Sequence, residues 1–426
     1  MQMKEAKKGR STPEMRAVAR DEGLPLSRVI RGVAEGRIVI PHNPQRKERV
    51  HPKGIGEGLR VKVNANVGSS PDYVKVEEEV EKAKVAQEYG ADTVMDLSIG
   101  GDLDLIRRRI LREVSLPVGT VPIYQAGIEA SKRGSLLDMT SDDMFNAIRR
   151  HAKDGVDFVT VHCGVTKEVV EKLGGKRVLG IVSRGGAFLS AWILKRGEEN
   201  PLYKEFDYLL ELASEFDLVL SLGDGLRPGS IGDASDYFQL YELMTLGRLV
   251  KRAREKGVQT MVEGPGHLPL DQVEWNVKLE KAVCGGAPFY VLGPVVTDVA
   301  PGYDHLVGAI GGAVAGMAGA DFLCYVTPSE HLCLPSVEDV REGVIAMKIA
   351  AHVADVARGI DLERELEMGR ARRDLDWEKQ FRLSLYPERA RKIRSERPPR
   401  VDPNTCSMCS KFCVIKFLGE VLQGKA

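Results

Sequence analysis

Three cysteines, Cys406, Cys409 and Cys413, fall within the string CSMCSKFC close to the end of the 426-residue chain. Thiolates are the usual ligands of iron–sulfur clusters, and three of them leave one iron of a 4Fe–4S cluster open to a small molecule. A structural zinc site would call for a fourth Cys or His nearby, and no His lies beyond His352. An accidental group of free thiols is the third reading.

Other residues able to do chemistry recur at intervals through the middle of the chain. They are Asn64 with Asn66, Met95 with Asp96, Tyr124, His162 with Cys163, the run Ser183, Arg184, Gly185 and Gly186, and the run Asp224, Gly225, Leu226 and Arg227. Glu263 with His267, Tyr290, and Glu330 with His331 follow. Any one of these alone is more often a satisfied structural group; their recurrence points to a pocket for a polar substrate. Ser183–Gly186 suits an anion, because two glycines let backbone N–H groups converge while Ser adds a hydroxyl and Arg a charge. Gly-Gly is also a common loop breaker. His267 and His331 could share one divalent metal, zinc or iron, with coordination positions left open. They could equally be hydrogen-bonding pocket histidines.

The elements that must position these residues form a repeat. Helical stretches run into small turns, Tyr89–Asp92, Asp154–Asp157, Glu215–Asp217, Lys256–Gln259 and Ala318–Asp321, and each turn runs into a short apolar strand. Gly in such turns suits the left-handed residue that ends a helix. The strands are TVMDLS, FVTVHCG, LVLSLGDG, TMVEGPG and FLCYVT, with further candidates VKVNANVG from Val61, VGTVPIYQ from Val118, RVLGIVSRGG from Arg177 and FYVLGPVV from Phe289. Alternating strands and helices mean a parallel sheet. Their number and spacing predict a (β/α)8 TIM-type barrel with one candidate strand outside the ring. An open doubly wound sheet is the alternative, but no Gly-x-Gly-x-x-Gly follows the first strand.

Around the barrel, expected over residues 61–335, the flanks read as helical. Residues 1–60 form an N-terminal helical segment in which Thr12-Pro13 opens one helix and Ser27 is a candidate cap for a second. Ser336–Asp339 has the spacing of a capping box and starts a long helix. Residues 336–397 form a charged helical extension with a break at Tyr386-Pro387, and Pro398-Pro399 is a linker to a cysteine-rich module over 398–426.

Lys plus Arg equals Asp plus Glu at 61 each, so no global field favours nucleic acid or an anionic membrane. The basic clusters Arg107–Arg109 and Arg389–Arg394 read as solvated helix faces. The start of the chain has no apolar signal region, and Leu306–Ala320 is too short to span a bilayer and reads as a buried, closely packed helix. Seven cysteines, an odd number, argue against a disulfide framework. A cytoplasmic enzyme is expected.

The strings VNANVG, MDLSIGGD, GTVPIYQA, FVTVHCGV, SRGG, LGDGLRPG, VEGPGH, TDVAPGYDH, YVTPSEHLCLP and CSMC…FC, in that order along the chain, resemble the phosphomethylpyrimidine synthase family of thiamine biosynthesis, in its short form. Read backwards, the tail spacing is also similar to the Cys-x3-Cys-x2-Cys of ordinary radical S-adenosylmethionine (SAM) enzymes. The resemblance implies a radical-SAM lyase on a (β/α)8 barrel that rearranges 5-aminoimidazole ribotide into 4-amino-5-hydroxymethyl-2-methylpyrimidine phosphate. It implies substrate contacts at Asn66, Met95, Tyr124, His162, Ser183, Arg184, Gly185, Asp224, Gly225, Leu226, Arg227, Glu263 and Tyr290. Metal ligands at His267 and His331 and cluster ligands at Cys406, Cys409 and Cys413 are likewise implied. An electron donor such as flavodoxin or ferredoxin and a homodimer would be its partners. The second cysteine gap is one residue shorter than the family's Cys-x2-Cys-x4-Cys. The related 5-hydroxybenzimidazole synthase uses the same ribotide, so the product stays open between the two. A metal-dependent barrel hydrolase built on His267 and His331, and a phosphosugar-binding or iron-sensing protein, are the readings from other classes.

Overall fold

The computed structural model describes residues 1–46 and 50–422. It divides into two compact units, Met1–Asp355 and Val356–Ala426.

In the first unit, eight parallel strands close into a barrel: β1 (Lys62–Val67), β2 (Thr93–Asp96), β3 (Val118–Thr120), β4 (Phe158–Val161), β5 (Val219–Leu222), β6 (Thr260–Gly264), β7 (Phe289–Leu292) and β8 (Phe322–Cys324). Closure comes from β8 pairing with β1, Phe322 opposite Lys62 and Cys324 opposite Asn64. Eight of the nine candidate strands stand in the ring. The ninth, from Arg177, is no strand: the segment runs irregularly to Ser183, which caps the helix Arg184–Arg196 by accepting the Gly186 N–H. Its apolar residues Val178 and Leu179 are exposed, so their β propensity has no sheet to join.

The repeated turn has a physical job at the base of the barrel. Gly155, at φ 97°, ends the helix Ser141–Asp154, and two residues on the Asp157 carboxylate accepts the N–H of Val118 at the start of β3, at 2.8 Å. Asp92 does the same for Val63, at 3.0 Å, and Asp321 for Phe289, at 3.0 Å. Each such Asp therefore satisfies a donor in the first two residues of a neighbouring strand, which would otherwise be buried without a partner.

The helices Gln2–Lys7, Pro13–Glu22 and Leu26–Glu35 pack around their own small core of Met3, Met15, Val18, Val29 and Val33. Thr12 caps the second helix through Met15 N, whereas Ser27 lies inside the third, whose N-cap is Pro25. Pro25 already has the fixed φ that leads into a helix, so the start falls two residues early. The chain then crosses the barrel base, where Arg46 is buried against Asp157 at 2.7 Å. At the other end of this unit, Ser336 and Asp339 form the expected reciprocal cap. The helix Val337–Ala357 lays Val340, Val344, Met347 and Ala351 on the barrel core.

The helix Asp304–Ala318 is close-packed on one face only. A Cβ at Gly311 would lie 2.0 Å from Pro294 O, while Leu306, Ile310 and Met317 are exposed. Among the described residues no helix is long and apolar enough to cross a membrane.

The second unit carries three helices, Leu362–Arg373, Trp377–Leu383 and Pro387–Glu396, and then the cysteine segment and the helix Val414–Leu422.

Candidate active site

The C-terminal ends of the strands carry the polar residues inward. Asn66 (β1) stands opposite Met95 (β2), and Glu263 (β6) opposite Tyr290 (β7). With Tyr124, His162, Asp224 and Arg227 they line a single narrow pocket of about 80 Å³. Past Asn66 and Leu97 the mouth widens into a hollow of about 450 Å³ that reaches Ser69, Asp72, Arg184 and Thr327.

Glu263 is the best-held carboxylate of the pocket. Thr160 and Ser221, from two neighbouring strands, each donate a hydroxyl to its Oε1 at 2.6 Å. Burial nevertheless raises its pKa above the ordinary value, with the two hydroxyls pulling it back. Arg227 Nη1 donates to Asp224 Oδ1 at 3.1 Å. Burial raises Asp224 well above the carboxylate range against that pull, and Glu263 and Glu242 add to the rise. Two carboxyls whose pKa values burial raises thus share the mouth with one guanidinium, a combination suited to holding and moving a proton.

His162, 2% exposed, meets Ser183 Oγ through Nε2 at 3.1 Å. Its buried Nδ1 has no hydrogen-bond partner among the described residues. Burial, helped by the positive field of Arg227, pushes the ring down to about 3, so it is neutral. Asn200 fixes this strand end by donating to His162 O and Val165 O, both at 2.9 Å.

On β1, Asn64 Nδ2 donates to Tyr290 Oη at 2.7 Å and Asn66 Oδ1 at 2.8 Å. Asn66 Nδ2 lies 3.0 Å from Cys324 Sγ, whose thiol burial raises to about 12.

Among the expected substrate residues, some act through the backbone. Leu226 is fully buried, and Gly225 and Leu226 give their N–H groups to Glu242. Gly185 and Gly186 are required for close packing: a Cβ would lie 2.2 Å from the His162 ring at 185, and 2.0 Å from Gly225 O at 186. Arg184 stacks over the Tyr124 ring at 4.9 Å.

His267 and His331, from loops after β6 and β8, bring their rings to 5.2 Å between centroids. His267 Nδ1 meets Asp298 at 2.8 Å and His331 Nδ1 meets Asp304 at 2.9 Å. Each carboxylate thus fixes its ring with Nε2 turned away from the bond, the arrangement of metal-binding histidines. Two imidazoles are an incomplete set. Among the described residues no three His, Cys, Asp or Glu side chains are gathered closely enough to hold a metal ion.

That statement includes the tail, where Cys406, Cys409 and Cys413 are free thiols in a short irregular turn. The turn is held from within its own unit: Trp377 Nε1 donates to Asn404 O at 2.8 Å, and Arg394 donates to Thr405 O at 3.1 Å. The backbone N–H of Cys409, with that of Met408, lowers the Cys406 thiol pKa. Three soft sulfur donors, with Cys406 favoured as thiolate, fit iron–sulfur ligation.

Sequence reasoning missed Thr160, Ser221, Glu242, Asn200, Asp298 and Asp304. Asp298 and Asp304 sit in the quoted string TDVAPGYDH, but the histidines they hold lie 31 and 27 residues away, so no local spacing signalled the pairing.

A closed parallel barrel whose mouth gathers carboxylates, a guanidinium and a neutral imidazole is the architecture of a (β/α)8 enzyme. A sequence model of the Radical SAM ThiC family matches residues 1–420. Phosphomethylpyrimidine synthase of Pyrococcus furiosus is 58% identical over 428 aligned residues, covering 100% of this chain and 99% of the relative. The protein of that name from Thermus thermophilus is 57% identical over 100% of this chain and 98% of its own length. The chain belongs to the Radical SAM ThiC family. A solved dihydropteroate synthase from Coxiella burnetii overlays at a TM-score of 0.43 with 13% identity, over 74% of this chain and 99% of that one, too loosely to bear on function.

Proposed function

We propose that the chain converts 5-aminoimidazole ribotide into 4-amino-5-hydroxymethyl-2-methylpyrimidine phosphate by SAM-dependent radical chemistry in the cytoplasm. The observation that carries this is the convergence of Asn66, His162, Asp224, Arg227, Glu263 and Tyr290 on one pocket beside the Ser183 turn. A helix begins at that turn, with Ser183 as its cap, and a helix N-terminus favours a phosphate. The ribose hydroxyls and the aminoimidazole are polar on every edge, which suits a pocket holding carboxyl, amide and phenol groups. Met95 and Tyr124 supply the apolar surface against the ring. The wider hollow leaves room for SAM next to the substrate.

Cys406, Cys409 and Cys413 would hold a 4Fe–4S cluster, as family membership implies. When bound, the cluster supplies the electron that splits SAM into methionine and a 5′-deoxyadenosyl radical. His267 and His331 would hold one divalent metal, zinc or iron, through their Nε2 atoms. Residues 398–426 are read as the cluster module. The helix Val414–Leu422 that ends its described part exposes Phe417, Leu418 and Leu422, apolar surface that a homodimer partner's barrel would cover. An electron donor such as flavodoxin or ferredoxin would reduce the cluster. In this reading Asp224 and Glu263 move protons at the substrate while neutral His162 hydrogen-bonds it.

Anaerobic turnover with the ribotide, SAM and dithionite, analysed by mass spectrometry, tests the reading. The hydroxymethylpyrimidine phosphate is the expected product, and 5-hydroxybenzimidazole as sole product overturns it. Replacing Cys406, Cys409 and Cys413 together by Ala is expected to abolish 5′-deoxyadenosine formation, and undiminished formation would remove the cluster from the proposal.

A further inference from the structure

The turn Asp224–Arg227 is gripped by two buried ionisable side chains, neither of which lines the pocket itself. Glu242, on the helix Tyr237–Lys256, is 2% exposed. Its Oε1 accepts the Gly225 N–H at 2.9 Å and its Oε2 the Leu226 N–H at 2.7 Å. From the carbonyl side, Arg177 donates to Leu226 O at 2.6 Å and to Arg227 O at 3.4 Å. Its guanidinium is itself held by both oxygens of Asp236, at 2.6 and 2.7 Å. A carboxyl group, its pKa raised by burial to about 8, therefore holds the donors of this turn, and a guanidinium its acceptors.

Such an arrangement is costly for a plain loop. Burying charge carries a desolvation penalty, and well-packed apolar residues of the same volume would often give a more stable fold. What paired buried ions do supply is a fixed geometry. Here the fixed object carries Asp224 at one end and Arg227 at the other, both lining the pocket. The same turn is wedged against the Ser183 turn, because Gly186 and Gly225 are in direct backbone contact and neither tolerates a Cβ there.

We infer that Glu242, with Arg177 as its counterpart, is a positioning residue for the ligand. It aims Asp224 and Arg227 into the pocket and sets their distance from the Ser183–Gly186 turn, hence the spacing between the polar-ring and phosphate ends of the molecule held there. The inference rests on reading these two turns as contacts of a phosphorylated ligand. Glu242→Gln keeps one acceptor but points an N–H group at a backbone N–H, so the turn is released on one side while volume is conserved.

The test is equilibrium binding of 5-aminoimidazole ribotide to the full-length chain without SAM, by calorimetry, with Glu242→Gln, Arg227→Lys and the double variant compared with wild type. Each single change is expected to weaken binding at least 10-fold. The double variant is expected to be within about twofold of the weaker single, because residues that act through one another are not additive. A merely structural Glu242 would lower thermal stability yet multiply its effect independently with that of Arg227→Lys, and that result overturns the inference. So does wild-type affinity in Glu242→Gln. Should Glu242→Gln fail to fold, Arg177→Gln takes its place in the cycle, with the same two outcomes. Failure of the wild-type chain to bind the ribotide at all would instead sink the proposed function.

Discussion

Both ends of this barrel bury charged side chains and use them differently. At the base, Asp157 accepts from Asn43 N at 3.0 Å, Val118 N at 2.8 Å and Arg46 at 2.7 Å, and Arg46 goes on to three backbone carbonyls, of Leu111, Val114 and Leu116. Asp92 and Asp321 are closed in the same way by strand N–H groups and lysines. At the mouth, His162 keeps a buried nitrogen without a partner, and Asp224 has a single guanidinium contact. Polar groups buried with their hydrogen bonds complete are structural; groups left incomplete around a cavity are waiting for a ligand. The carboxylates of the two ends thus differ in satisfaction, although Arg46 Nε and the Thr260 hydroxyl at the base also lack a hydrogen-bond partner among the described residues.

The comparison breaks most sharply under exchange of single carboxylates. Asp157→Asn leaves Arg46 buried without its counter-charge and is expected to cost about 3–5 kcal/mol of stability, read as a fall in the denaturation midpoint. Where the variant still folds, it should bind the ribotide as wild type does. Glu263→Gln is expected to do the reverse. Turnover falls at least about 100-fold, as when a positioned acid–base group is lost, and the midpoint stays within about 1 kcal/mol. Equal loss of stability in both would erase the distinction between base and mouth.

The sequence was most legible where one local rule repeats. Gly-x-Asp before a Val- and Leu-rich run marks both the helix end and the strand start, and the Asp has a visible reason once Val63, Val118 and Phe289 are seen opposite. Arg177–Gly186 misled because Val178, Leu179, Ile181 and Val182 look like a strand locally. Only the distant Asp233 and Asp236, which hold Arg177 and its neighbours, show that the segment is a strap. The pocket residues were legible because they sit at strand ends. Glu242, Asn200 and Asp298 were not, because each acts on a partner far along the chain and no local spacing records it.

The two histidine–carboxylate pairs sit between these extremes: one ring nitrogen is satisfied by Asp298 or Asp304, and in the proposed function the other would take a metal. Asp298→Asn and Asp304→Asn keep both imidazoles but loosen their orientation. Each is expected to lower zinc affinity about 10- to 100-fold, as loss of such outer partners does, measured by competition with a chelator. Unchanged affinity in both would mean the pairs are hydrogen-bonded pocket residues with no metal to orient.

Glu280 is the residue that could defeat the comparison. It is fully buried on the helix Leu270–Val283, away from the mouth, and neither oxygen has a hydrogen-bond partner among the described residues, the Lys281 ammonium standing 3.7 Å from Oε2. By the rule above it should face a ligand, yet it lines no part of the pocket or the hollow. Burial resolves the conflict by raising its carboxyl from 4.5 to about 7, so below that pH it is carried as a neutral acid. The unfolded chain releases this proton near the ordinary 4.5. Folding therefore takes up a proton between the two values. Glu280's contribution is fully present below about 4.5, is lost as pH rises to about 7, and is level beyond. Glu280→Gln removes that slope. Its own buried amide offsets much of the gain, at about 1–3 kcal/mol for an unsatisfied group, so at pH 8 the variant should be only about 1 kcal/mol more stable than wild type. At pH 5 it should be the less stable of the two. Denaturation midpoints at the two pH values measure this directly. Parallel pH dependence in variant and wild type would mean Glu280 is charged at its site, and an incomplete buried carboxylate would then no longer mark a ligand pocket in this barrel.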